Sequence, residues 1–185
     1  HHLANLTDFA ISYFQHLKQT YGKGRERKTE IRVFDDVDAK KVVIRNTKLY
    51  VNREEGFVGT SLRRDEYVTD CADIDDIIVF TADGKMTVTK VEAKTFIRKN
   101  IIHVAVFKKK DDRTIYNMIY RDGRGGTTYM KRFPVTSVTR DKEYDLTNGN
   151  AQSKVFYFSA NPNGEAEIVT VLLRQSKGIK KLKWD

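Results

Sequence analysis

The feature that most constrains this chain is a recurring hairpin pattern: an apolar run ending in an aromatic residue, a short polar turn with glycine, and a second apolar run. It occurs from Tyr50 to Gly56, Phe80 to Gly84, Tyr120 to Gly123 and Phe158 to Gly164, with successive glycines 28, 39 and 41 residues apart. Asp83-Gly84 and Asn163-Gly164 are strong hairpin signals, because both residue types tolerate positive φ. A period of roughly 40 residues with a hairpin in each unit indicates propeller-like blades rather than a sandwich. The runs Lys48–Val51, Ile77–Thr81, Met86–Val91, Ile101–Phe107, Ile115–Tyr120, Thr127–Phe133, Val155–Ser159 and Glu167–Leu173 are β-branched and aromatic, as strands require. Pro134 and Pro162 sit where a strand can end or turn. Four such units fall short of a closed propeller ring. The expectation is a mainly β domain, a partial β-propeller of about three to four blade-like repeats.

The N-terminal region follows a different period. Leu3, Leu6, Phe9, Ala10, Tyr13, Phe14, Leu17 and Tyr21 recur at three- and four-residue steps, which predicts one amphipathic helix with Gly22 as its C′ residue. The glycine-punctuated basic stretch from Gly22 to Thr29 has no periodicity and reads as a linker. The expected division is therefore a terminal helix over residues 1–22, a basic linker over 23–30 and blades over 31–185.

Charge then narrows the partner. The chain carries 34 Lys and Arg against 25 Asp and Glu, a net +9. Residues 1–92 contribute 15 basic and 16 acidic groups, whereas residues 93–185 contribute 19 and 9, so the excess lies in the second half. Such asymmetry implies a polyanionic partner, of which nucleic acid is the common case. The plain alternative is a solvated basic surface. No window has the roughly 18 consecutive apolar residues of a membrane span. No secretory signal is visible, and with one cysteine, Cys71, the expected location is the reducing cytoplasm.

Catalytic constellations are poorly supported. The four histidines, His1, His2, His16 and His103, have no Ser or Cys motif around them, and His103 alternates with apolar neighbours like a satisfied strand residue. Cys71 lies between Asp70 and Asp73, an acidic setting that opposes thiolate formation. The clusters Asp35/Asp36/Asp38 and Asp73/Asp75/Asp76 lack the calcium-loop pattern and read as caps or strand terminators. Gly123-Arg-Gly-Gly126 has no following helix to aim amides at a phosphate.

The basic groups carry more weight. Lys108, Lys109, Lys110 and Arg113 lie between two strands, Arg121 and Arg124 flank the glycine-rich turn, and Lys131, Arg132 and Arg140 follow. Strand alternation sends Lys131 and Arg132 to opposite faces, so turn and loop cations are the better phosphate contacts. A further run, Lys177, Lys180, Lys181 and Lys183, accompanies Trp184. Together these groups favour contact with a phosphate backbone, which is sequence-tolerant and salt-sensitive.

Three stretches carry a family resemblance: Tyr21-Gly-Lys-Gly-Arg-Glu-Arg-Lys-Thr-Glu-Ile31, Asp73-Ile-Asp-Asp-Ile-Ile-Val-Phe-Thr-Ala-Asp-Gly-Lys85, and Tyr116-Asn-Met-Ile-Tyr-Arg-Asp-Gly123 continuing to Val138-Thr-Arg-Asp-Lys142. With the helix before them they cover nearly the whole chain, which resembles the A subunit of bacterial type IIA topoisomerases, DNA gyrase and topoisomerase IV. The first stretch is similar to the Arg-Arg-Thr-Glu-Ile junction between cleavage domain and C-terminal domain, the others to the repeated blade hairpins. The resemblance implies that residues 3–21 are the last helix of the cleavage domain, followed by the first blades of a β-pinwheel that binds and bends duplex DNA. The implied protein partners are the ATPase B subunit of the holoenzyme and, through other domains, another copy of the A subunit. ATP and magnesium would then be bound elsewhere, with no cofactor in this chain, and the location would be the cytoplasm, with the nucleoid. No match to the family's Arg-Tyr cleavage motif occurs, so none of the nine tyrosines is assigned as nucleophile. The Gln-Arg-Arg-Gly-Gly-Lys-Gly type of box found in gyrase is reduced here to Arg124-Gly-Gly126, which favours the topoisomerase IV type. From another class, a protein-interaction propeller with a basic rim is the competing expectation.

Overall fold

The computed structural model describes residues 5–25, 47–176 and 178–185. The chain divides into two units, His1–Val42 and Val43–Asp185, each taken by itself below.

The first unit holds helix α1, Leu6–Tyr21. Asp8 in its first turn and Lys18 in its last complement the helix dipole. Gly22 closes the helix by donating its N–H to the Lys18 carbonyl at 2.9 Å, yet it keeps right-handed torsion angles, φ −77° and ψ −24°. The positive φ expected at the end falls instead on Gly24, at 77°. The stretch 26–46, with Asp35, Asp36 and Asp38 and most of the predicted linker, lies outside the described residues.

The second unit is mainly β, as its period-2 runs require. Its strands are β1 (Thr47–Asn52), β2 (Phe57–Gly59), β3 (Glu66–Cys71), β4 (Asp76–Thr81), β5 (Lys85–Lys90), β6 (Thr95–Phe96), β7 (Ile101–Phe107), β8 (Ile115–Arg121), β9 (Thr128–Pro134), β10 (Glu143–Asp145), β11 (Lys154–Asn161), β12 (Val171–Leu172) and β13 (Lys183–Trp184). They form sheets ordered β3-β1-β2-β6, β10-β5-β4-β7, β11-β8-β9 and β12-β13. In the first three sheets a central hairpin, β1–β2, β4–β5 or β8–β9, gains a later strand beside its first member. The first two also gain a strand beside the second member, and that strand comes from beyond the next hairpin: β6 pairs with β2, and β10 with β5. The pattern is that of a partial pinwheel.

Strand β4 shows why the sheets stack. Its alternating side chains enter two different cores. Ile77 and Val79 join Leu49, Val51, Val58 and Cys71 of the first sheet, while Ile78 and Phe80 join Met86, Val88 and Tyr116 on the opposite side. A strand buried on both faces reads as a continuous apolar run, which is what Ile77–Phe80 is. Met118, Tyr120 and Val155 extend the packing along the third sheet.

The hairpin glycines meet their conformational requirement. Gly56, Gly84, Gly123 and Gly164 all have positive φ, at 82°, 81°, 74° and 65°. At Gly56 a Cβ would also overlap the Arg98 backbone carbonyl. In the fourth unit Asn163 shares the positive φ, but a single 3-10 turn, Pro162–Gly164, and extended chain follow, so the run Glu167–Leu173 contributes only Val171–Leu172 as strand.

Candidate nucleic-acid interface

The β7–β8 loop, residues 108–114, presents Lys108, Lys109 and Lys110 as exposed side chains. Its backbone is tied at several points. Lys110, at φ 65°, donates its N–H to the Thr136 carbonyl at 2.8 Å. Asp111 accepts from the backbone N–H groups of Arg113 and Thr114 and from the Thr114 hydroxyl, at 2.9, 3.2 and 2.7 Å. The Thr114 hydroxyl, the two backbone amides and the nearby Lys108 charge hold the Asp111 carboxyl below its usual range, against the opposing effect of burial. The three lysines therefore extend from a constrained loop.

The β8–β9 turn carries the next cations. Arg121 donates Nε–H to the Gly123 carbonyl at 3.1 Å, and its guanidinium lies 5.6 Å from the Phe156 ring centroid. Arg124 stands exposed at the tip. Beneath it Asp122 gathers the chain: its carboxylate accepts from the Asn150 amide, the Ser153 hydroxyl at 3.2 Å and the Asn148 N–H at 3.2 Å. The Asn150 bond is the main cause that lowers its pKa. This latch fixes the glycine-rich turn to residues 148–153.

Strand β9 sends Lys131 and Arg132 to opposite faces, as alternation demands. Lys131 points inward, donates to the Leu146 carbonyl at 2.5 Å and lies 5.8 and 5.7 Å from the rings of Tyr120 and Phe133. Arg132 reaches the Gly164 and Glu165 carbonyls. Arg140 pairs with Asp76 at 2.9 Å, so this carboxylate of the acidic cluster is occupied by a cation from 64 residues away. Asp75 caps its own turn by accepting from the Ala72 N–H at 3.0 Å. Among the described residues no group of three His, Cys, Asp or Glu is gathered for a metal ion.

The nine cations singled out from the sequence thus fall into separate groups. Lys108, Lys109, Lys110 and Arg113 lie at the start of β8, whereas Arg121 and Arg124 lie at its far end, about 20 Å away for a strand of this length. Arg121, Lys131, Arg132 and Arg140 hold structural contacts. Lys108–Lys110 and Arg124 project outward.

Beside the lysine loop is a cleft of about 170 Å³ lined by His103, Phe107, Lys108, Asp111, Thr114 and Tyr116 among others. The expectation of a satisfied His103 needs correction: the imidazole sits in β7 among Phe80, Tyr116 and Phe158, and its Nε2 has no hydrogen-bond partner among the described residues. Burial, then the charge of Arg53, lowers its pKa to about 4. Burial pushes the Tyr116 hydroxyl up to about 12, with Asp111 adding to the effect. Burial thus keeps the imidazole and the phenol neutral near pH 7, packed as rings in the core between the sheets.

A separate basic element is visible in the sequence as a lysine run but not as a structure. β12 and β13 pair with Val171 opposite Trp184 and Leu172 opposite Lys183. Arg174, Lys180, Lys181 and Lys183 are exposed, and Lys177 lies outside the described residues.

Residues 48–185 match the family described as the topoisomerase C-terminal domain of Bacteroidota. The chain belongs to the topoisomerase C-terminal domain family. A relative, the A subunit of DNA topoisomerase 4 from Borreliella burgdorferi, is 29% identical over 161 residues, covering 86% of this chain and 25% of the relative. The chain therefore spans about a quarter of the length of that curated relative. No solved structure matches it. The resemblance to the C-terminal region of the A subunit of a bacterial type IIA topoisomerase is borne out. Within that pair of enzymes, the relative is of the topoisomerase IV type towards which the reduced Arg124-Gly-Gly126 box leans.

Proposed function

We propose that this domain binds duplex DNA through its phosphate backbone and guides the transported segment during decatenation or supercoil relaxation by an ATP-dependent type II topoisomerase. The observation that carries the reading is the Lys108–Lys110 loop: three adjacent exposed ammonium groups on a backbone pinned by Thr136 and Asp111, within a topoisomerase C-terminal domain. Lysines are point charges on flexible stems, and a constrained loop sets where those stems begin, which suits contact with phosphates without base readout. Arg113 extends the same charge, and Arg124 offers a separate outward cation at the far end of β8. Arg121, Lys131 and Arg132 keep their positive charge while bonded to backbone carbonyls, and Arg140 is offset by Asp76. In this reading the domain is non-catalytic. The ATPase B subunit, the other copy of the A subunit, ATP and magnesium belong to the rest of a cytoplasmic, nucleoid-associated holoenzyme.

The test is fluorescence anisotropy of a labelled duplex of about 40 base pairs over a salt series. If about five phosphates are contacted, log K falls against log salt with a slope near −4.5. Binding at micromolar or tighter concentration with such a slope, both weakened on changing Lys108, Lys109, Lys110 and Arg124 to Glu, supports the reading. Absence of binding at low salt favours a protein-interaction propeller with an acidic partner.

A further inference from the structure

We propose that the β12–β13 hairpin is a second, independent contact for duplex DNA phosphates, made by Arg174, Lys180, Lys181 and Lys183. The proposal rests on the reading of DNA as the partner and adds an element to it.

Charge density is the first argument. Residues 171–185 contain five basic side chains, Arg174, Lys177, Lys180, Lys181 and Lys183, and one acidic one, Asp185. Residues 96–110 hold a similar excess, but there Arg98 is paired with Asp83 and Glu143, and Lys99 faces Glu55, which leaves the Lys108–Lys110 loop as the outward charge. Pairing is the second argument. Elsewhere in the second unit several cations are compensated locally: Arg53 by Glu66 at 2.7 Å, Lys85 by Asp145 at 2.6 Å, Arg98 by its two carboxylates at 2.7 Å each, and Arg140 by Asp76. In the hairpin the one carboxylate within ion-pair distance, among the described residues, is Asp185, 3.9 Å from Lys183 and already accepting from the Thr170 hydroxyl at 2.6 Å. Among those residues the remaining positive charge of the hairpin has no internal partner of that kind.

Presentation is the third argument. The hairpin is closed by the Leu173 N–H donating to the Leu182 carbonyl at 2.8 Å and by a turn in which the Ile179 N–H reaches the Ser176 carbonyl at 3.1 Å. These bonds place Arg174 and the lysines of the returning arm along one short ribbon. Lys181 Nζ lies 4.2 Å from the Trp184 ring centroid, and the indole is 51% exposed. A cation over an exposed indole offers a charge and an adjacent flat apolar surface, which matches a phosphate and its sugar along a nucleic-acid backbone. Lysine-dominated contact is tolerant of sequence, in keeping with a domain that handles DNA geometry.

The experiment uses the full chain in the anisotropy salt series with two neutralised variants, Lys180→Gln/Lys181→Gln/Lys183→Gln and Lys108→Gln/Lys109→Gln/Lys110→Gln. The hairpin variant is expected to lower the magnitude of the log–log slope by about 2.7, from three phosphates at about 0.9 each. Affinity should fall at least tenfold at low salt, and the losses from the two variants should add in log K. Hydrogen exchange of the unmodified chain with and without duplex provides a readout that needs no variant: amides of residues 173–182 should gain protection. If the hairpin variant keeps its slope and those amides gain none, while the loop variant loses binding, the hairpin proposal is overturned and the DNA reading stands. If the unmodified chain binds no duplex, both fall. If acidic polyglutamate displaces the duplex at equal charge concentration and protects the same amides, the hairpin is an acidic-protein site and the proposal also fails.

Discussion

Phe80 of the second sheet and Phe158 of the third meet with ring centroids 4.5 Å apart and planes inclined at 43°. Tyr116 lies 4.8 Å from Phe80, and His103 5.3 Å from Phe158, so four rings from β4, β7, β8 and β11 join the two sheets. Phe80 is 1% exposed, so removing its ring opens a cavity that solvent does not reach. Phe80→Ala should cost about 3–5 kcal/mol, and Phe158→Ala less because its ring is only partly covered. Urea midpoints measured by far-UV circular dichroism check this. Equal midpoints for Phe80→Ala and the unmodified chain would show that this cluster does not join the sheets.

His103 sets a pH dependence. Its folded pKa, about 4, lies below the value of 6.5 expected when unfolded. Between these values the unfolded chain binds a proton that the folded chain does not, so stability is complete above about pH 6.5 and declines as pH falls towards 4. The loss is of order 3 kcal/mol at most. His103→Phe, which keeps a ring in the cluster, should flatten the dependence in that window. A variant with an unchanged pH profile would assign the loss to carboxylates instead.

The Asp122 latch should govern local opening of the glycine-rich turn. Asp122→Ala leaves the Asn150 amide, the Ser153 hydroxyl and the Asn148 N–H without their shared acceptor. Amides of residues 147–153 should then exchange faster, while those of β4 keep their protection. Because hydrogen bonds to the ionised form depress the Asp122 pKa, the same loosening should appear in the unmodified chain as pH drops through that depressed value. Uniform acceleration across β4 and the loop would mean that the latch is part of the global fold instead.

Glycine positions separate torsional strain from steric conflict. Gly125 and Gly56 both have positive φ, at 79° and 82°, but a Cβ at Gly125 meets open space while one at Gly56 overlaps the Arg98 carbonyl. Gly125→Ala should cost about 1–2 kcal/mol and Gly56→Ala clearly more. Thermal unfolding of the pair provides the comparison, and equal losses would contradict the close approach at Gly56.

The long strands are legible in the sequence because their patterns are internal. β7 spans the predicted Ile101–Phe107, and β4, β5, β8 and β9 fall within one or two residues of their runs. Strands β2, β3, β6, β10 and β13 have no counterpart among those runs, and the reason is physical. β6 is two residues long and exists because Phe57 and Val58 offer it a partner edge, a fact that no pattern in Thr95–Phe96 contains. The same applies to the cations. That Lys108–Lys110 is a loop is readable from its flanking runs, but the Arg140–Asp76 pair and the inward turn of Lys131 depend on residues far away in sequence. Alternation places His103 in its strand, whereas its unpartnered Nε2 follows from which rings surround it.

The return strands β6 and β10 carry a consequence for how such a domain is inherited. The unit visible in the sequence runs from one hairpin glycine to the next, but a sheet is completed only by residues lying beyond the following hairpin. Genetic duplication or deletion of one sequence unit therefore changes two sheets at once: the sheet that lost its hairpin and the preceding one that lost its outer strand. A tolerated change in unit number must splice one unit's return strand onto the preceding hairpin edge. Compatibility between Phe96 and Phe57, or between Asp145 and Lys85, is thus a constraint on recombination that acts between neighbours and is invisible within any single unit.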